Sequence, residues 1–212
     1  MGRWWVALKA TAFLLLATGA QAAGNCKLVV LGDSLTAGYG LAAGEGFPAR
    51  LAQSLERQGQ ACEVIDAGVS GDTSAGGLAR LDWVLADNPT HLLVELGAND
   101  GLRALPADQL HANLDAIVTR ASEAGVNVML AGMWAPPNLG PEYGEAFRSA
   151  FETVAKSHEV PLYPFFLDGV AGTQELVLPD GLHPTAAGVD EIVRRITPVV
   201  ADWLKTSARS PD

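Results

Sequence analysis

Lys27-Leu-Val-Val-Leu31, followed at once by Gly32-Asp-Ser34, sets the reading of this chain. A short apolar run stopped by glycine reads as a strand buried on both faces, and four later stretches repeat the pattern. They are Cys62–Asp66, His91–Leu96, Val126–Ala131 and a weaker Val160–Phe165, where Pro161 and Pro164 suit a sheet edge. Helical periodicity fills the gaps. The predicted helices run over Glu45–Gln58, Ser74–Ala86, Ala107–Glu123, Tyr143–Ser157 and Thr185–Leu204, the last expected to bend at Pro198. The clearest is Ala107–Glu123, whose stripe Leu110, Leu114, Ile117, Val118 and Ala121 follows Pro106 and ends before Gly125. Apolar strands alternating with helices predict an α/β domain with a parallel sheet covered on both sides.

Composition narrows the function. Of 212 residues, 49% are hydrophobic and 18% charged, which excludes a disordered chain and suits about one domain. The formal charge is −10, so binding to a phosphate backbone is disfavoured and no nucleic-acid partner is expected. Residues 1–22 read as a signal peptide: Arg3 and Lys9 without an acid, a short apolar middle, then Ala20 and Ala22. The apolar run Ala10–Ala17 is too short for the roughly 20 residues of a membrane span, so no stable membrane insertion is expected. Cleavage after Ala22 leaves residues 23–212 as a single domain. It removes two cations, taking −10 to −12, and the periplasm or the exterior is the expected destination.

In a parallel α/β sheet, ligands bind beyond the carboxyl ends of the strands. Those ends carry Gly32-Asp-Ser34, Gly68-Val-Ser-Gly71-Asp-Thr-Ser74, Gly97-Ala-Asn99-Asp100 and, after the fifth strand, Asp180-Gly-Leu-His183-Pro184. Alone, Ser34 would read as a turn or cap serine. Asp180 and His183, three residues apart, change that. The carboxylate can hold one ring nitrogen of the imidazole while the other takes the serine proton. Gly71 offers an unobstructed backbone N–H, Asn99 an amide and Ser34 its own N–H, three candidate donors for an oxyanion. The chain lacks a Gly-x-Gly-x-x-Gly fingerprint, a Walker lysine and a Gly-x-Ser-x-Gly elbow. His91, His111 and His158 are scattered, and two cysteines cannot make a zinc site, so no cofactor or metal is expected.

These four blocks resemble the SGNH hydrolases, also called the GDSL lipase/esterase family, and within it the bacterial periplasmic thioesterase/lysophospholipase/arylesterase group. Gly32-Asp-Ser-Leu-Thr-Ala-Gly-Tyr-Gly40 matches the first block, and the catalytic serine falls on Ser34. The oxyanion residues fall on Gly71 and Asn99, the acid on Asp180 and the base on His183. Ala98 stands where close relatives often carry a second glycine. The resemblance implies a three-layer flavodoxin-like fold with sheet order 2-1-3-4-5, and metal-free hydrolysis of esters and thioesters; a monomer is the expected assembly. It also implies an acyl pocket lined by Leu102, Leu105, Met133 and Trp134. Carbohydrate O-deacetylation and a non-catalytic lipid-binding role are the alternatives. The first requires sugar-stacking side chains on a rim that, Trp134 and Tyr143 apart, reads as aliphatic.

In that strand order Cys26 and Cys62 open neighbouring parallel strands. Cys26 lies 8 residues before Ser34 and Cys62 lies 9 before Gly71, so counting back from a shared active site brings them together. Adjacent strands are about 4.8 Å apart, within the Cα separation of a disulfide. A Cys26–Cys62 bridge is predicted.

Overall fold

The computed structural model describes Met1 and residues 26–207. Apart from Met1, the predicted signal peptide and its cleavage site lie outside the described residues. Five strands, β1 (Cys26–Gly32), β2 (Cys62–Gly68), β3 (His91–Glu95), β4 (Asn127–Ala131) and β5 (Leu162–Tyr163), form one parallel sheet in the order β2-β1-β3-β4-β5. Leu28–Leu31, Leu92–Val94 and Val128–Ala131 are buried, as expected of central strands covered on both faces.

The helices form the outer layers. On one side α2 (Phe47–Arg57) packs against α8 (Ala186–Ser207); on the other α6 (Ala107–Glu123) packs against α7 (Pro141–Ser157) and α3 (Ser74–Ala79). The predicted stripe of α6 is wholly buried. The helix α8 continues through Pro198, where the buried Thr197 hydroxyl donates to the Val193 carbonyl at 2.6 Å. No helix among the described residues is long and apolar enough to cross a membrane.

Beyond shifts at element ends, three features depart from expectation, each for a local reason. The helix predicted over Ser74–Ala86 is two: α3 ends at Ala79 and α4 runs Leu81–Ala86. The break falls at Arg80 (φ −106°, ψ 8°), whose guanidinium bonds the Asp72 carboxylate and the Gly32 carbonyl. The fifth strand shrinks to Leu162–Tyr163 because Pro161 and Pro164 flank it without N–H groups to extend the ladder. Two short helices, α1 (Ser34–Ala37) and α5 (Ala98–Leu102), are too brief to show a periodicity.

Cys26 and Cys62 are register partners at the amino end of β1 and β2. Their Cα atoms lie 4.6 Å apart and a disulfide joins them, as counted from the sequence.

Candidate active site

Ser34 opens α1 directly beyond β1. Asp33 caps that helix, its Oδ1 accepting the Leu35 N–H at 2.9 Å. The turn rests on the end of β2, where a Cβ on Gly68 would run into the Ala37 nitrogen and the Asp33 carbonyl. Only glycine permits that approach.

His183 comes from the far end of the chain. An antiparallel bridge between Val177 and Pro184, and a 2.7 Å bond from the Leu178 N–H to the His183 carbonyl, pin the loop ahead of α8. Within it, Asp180 Oδ1 accepts the N–H groups of Leu182 (2.9 Å) and His183 (3.0 Å). Asp180 Oδ2 lies 2.7 Å from His183 Nδ1, and His183 Nε2 lies 2.9 Å from Ser34 Oγ. The two backbone N–H groups and the imidazole hold the Asp180 carboxyl down to about 2. It is therefore an anion, acceptor only, and fixes the proton on Nδ1 so that Nε2 accepts from the serine. The Tyr39 ring packs against the imidazole at 4.5 Å between centroids.

The residues expected to supply oxyanion donors gather beside Ser34. Gly71 sits at φ +87°, in the left-handed region that favours glycine. Arg103 Nη2 donates to the Gly71 carbonyl at 2.8 Å, and Arg80 ties the next residue, Asp72, back to Gly32. The N–H groups of Ser34 and Gly71 have no acceptor among the described residues. Asn99 is different: its Nδ2 already donates to Asp33 Oδ2 at 3.0 Å and to the Asp72 carbonyl at 2.9 Å. Ala98 opens α5 without a positive φ, so the missing glycine strains nothing.

A cleft of about 840 Å³ leads from Ser34 and His183. Leu102, Met133 and Trp134 line it; Leu105 does not. The Leu105 N–H bonds the Asp100 carbonyl and its own carbonyl receives the Tyr143 hydroxyl at 2.6 Å; Tyr143 is not a lining residue either. The aromatic members are instead Tyr39, Trp134 and Phe165, the last two stacked 4.1 Å apart with planes 5° from parallel. Val170, Leu167 and Pro136 extend the apolar wall. His91, His111 and His158 are not among the lining residues.

Sequence reasoning passed over three groups here. Tyr39 and Asp33 both lie inside the quoted first block, where only a three-dimensional partner could have assigned them. Glu95 is hidden within an apolar strand; it is fully buried, with Thr36 Oγ1 2.8 Å from its Oε2. Burial and the neighbouring Asp33 push its carboxyl well above the usual range.

Residues 30–190 match the GDSL-like Lipase/Acylhydrolase family. The chain is 40% identical to Esterase TesA of Pseudomonas aeruginosa over 199 residues, covering 93% of this chain and 99% of that protein. It is 38% identical over 193 residues to Thioesterase 1/protease 1/lysophospholipase L1 of Escherichia coli K12, covering 91% and 87% respectively. The crystal structure of the psychrotrophic esterase EstA from Pseudoalteromonas sp., inhibited by monoethylphosphonate, superposes with a TM-score of 0.81. It is 36% identical and covers 85% of this chain and all of that one.

Proposed function

The chain belongs to the GDSL-like lipase/acylhydrolase family, and from that premise we propose how it hydrolyses ester and thioester bonds: Ser34 as nucleophile, His183 as its base, Asp180 orienting the base. The observation that carries this reading is the unbroken hydrogen-bond chain from Ser34 through His183 to Asp180, at 2.9 and 2.7 Å, opening into an apolar cleft.

The Ser34 oxygen attacks the acyl carbonyl as its proton passes to His183 Nε2. Asp180 stabilises the imidazolium, and the N–H groups of Ser34 and Gly71 with the Asn99 amide hold the oxyanion. Removing one such donor typically costs about 3 kcal/mol. The imidazolium then gives its proton to the departing alcohol or thiol, leaving an acyl-enzyme. Water, activated by the same histidine, attacks that ester and restores the hydroxyl.

Leu102, Met133, Trp134 and Phe165 take the acyl chain. The substrates are acyl thioesters, aryl esters and lysophospholipids, handled by a monomer exported behind its signal peptide to the periplasm. A panel of p-nitrophenyl and acyl-thioester substrates from C2 to C16, with lysophosphatidylcholine, tests this reading, together with peptide mapping after phosphonate labelling. Turnover of esters and thioesters with the label on Ser34 is expected. A label on any other serine, or none in a folded protein that still hydrolyses the panel, removes Ser34 from the mechanism.

A further inference from the structure

The reaction as written makes no use of Asp33, although this carboxyl is completely buried beside the nucleophile. Its two oxygens do different things. Oδ1 accepts from the Leu35 N–H within the Ser34 turn, and Oδ2 accepts from Asn99 Nδ2 on α5, 66 residues away. One carboxyl therefore bridges the helix of the nucleophile and the side-chain donor of the oxyanion site.

We propose that Asp33 is a positioning residue for hydrolysis, fixing which edge of the Asn99 amide faces the reacting oxygen. The proposal rests on the reading of Ser34 and Asn99 above. An amide side chain turns about a broad, two-fold terminal torsion, and its two edges have opposite character: NH2 donates, C=O only accepts. Whichever edge meets the oxyanion decides between attraction and repulsion. A carboxylate is acceptor-only, so beside Asp33 the Asn99 amide can settle only with Nδ2 inward. The Asp72 carbonyl, 2.9 Å from the same Nδ2, selects the same edge. The Asn99 N–H now spent on Asp72 is the one an oxyanion would share.

The charges around Asp33 act in both directions. Burial raises its carboxyl to about 6; the Leu35 N–H, the Asn99 amide and His183 favour the anion, and Asp72 opposes it. Glu95, behind the turn, is pushed up by burial and by Asp33 itself. Both carboxyls have donors, Asp33 from the Leu35 N–H and the Asn99 amide and Glu95 from Thr36 and the backbone of the same turn. But Glu95 Oε1 has no hydrogen-bond partner among the described residues and Glu95 is pushed well above its usual range, whereas Asp33 is raised only to about 6. The negative charge therefore belongs on Asp33.

Asp33→Asn tests the idea. Asparagine caps a helix as well as aspartate, so its oxygen keeps the Leu35 N–H and α1 stays capped. Its NH2 then faces Asn99 and invites the C=O edge, turning the donor away. The expected result is a fall in kcat of about 10²-fold with KM nearly unchanged, matching Asn99→Ala. In an Asn99→Ala background, Asp33→Asn should cost less than about threefold, because the group it acts through is gone. Asp33→Ser, which keeps a cap and deletes the second oxygen, takes its place if the asparagine variant does not fold. A full additional loss in the Asn99→Ala background, or wild-type kcat for folded Asp33→Asn, overturns the proposal. If Asn99→Ala alone leaves kcat intact, the oxyanion reading fails first and the proposal falls with it.

Discussion

Removing the Cys26–Cys62 bridge should lower stability steeply and leave catalysis untouched. The two residues face each other at the amino end of β1 and β2, and the bond closes a loop of 36 residues. For a loop of that length, the restriction of the unfolded chain is worth about 4 kcal/mol. A folded unit of this size loses about 2–4 °C of Tm per kcal/mol, so the reduced protein should melt roughly 8–16 °C lower. β2 is an edge strand, held in the sheet by β1 on one side only, so loss of the bridge should loosen it. The Ser34–His183 pair, the proposed seat of the chemistry, lies at the opposite end of the sheet. From Cys26 to Gly32 the chain climbs six residues at about 3.3 Å each, some 20 Å in all. Calorimetry with and without reductant, repeated on a Cys26→Ser/Cys62→Ser variant, reads the first effect; kcat on p-nitrophenyl butyrate at 25 °C reads the second. Intact mass after alkylation, before and after reduction, reports the bond itself. A double variant melting within 2 °C of the parent would refute the entropy argument, and a tenfold fall in kcat in a folded variant would refute the separation of staple from site.

Ser34→Ala should fold normally and lose roughly 10⁴-fold or more in kcat; a folded variant retaining a tenth of the parent rate would end the nucleophile assignment. Asn99→Ala should cost about 3 kcal/mol in the transition state, near 10²-fold in kcat with little change in KM; a rise in KM alone would make it a binding residue. His91 gives a pH prediction. Its ring is buried, edge-on to Trp203, and burial lowers it from 6.5 to about 4. As pH falls through that window the unfolded chain takes up a proton that the folded chain refuses, so the stability margin of the parent over His91→Gln should shrink by up to about 3 kcal/mol between pH 7 and 4. A margin independent of pH, measured by urea unfolding, would sink it.

Much of the architecture was readable in advance because the physics there is local. The stripe of α6 follows from helical periodicity alone, and the buried central strands from unbroken apolar runs. Strand order is not local: it came through the resemblance, and the cysteine pairing followed from it. The misreadings have the opposite character. Arg80 breaks a helix because its side chain reaches an acid eight residues back and the end of β1. Leu105 is absent from the cleft lining, and its carbonyl is bonded instead by Tyr143, 38 residues on. Asp33 sat inside a quoted motif unremarked because the residue its Oδ2 bonds, Asn99, is 66 positions away.

The Ser34–His183 bond spans 149 residues, whereas Asp180 and His183 are three apart. A polypeptide growing from its amino end makes the Ser34 turn early and brings it to His183 only when the last loop, anchored ahead of α8, docks over the sheet. Until then a serine hydroxyl is all that exists, and water deprotonates it no better than any other alcohol. On the proposed mechanism, each turnover is thus a certificate that both ends of one molecule have been joined. Regain of esterase rate during refolding should track the slowest long-range step, trailing any signal from the helices alone, and a chain cut short before His183 should be chemically mute however well its sheet assembles.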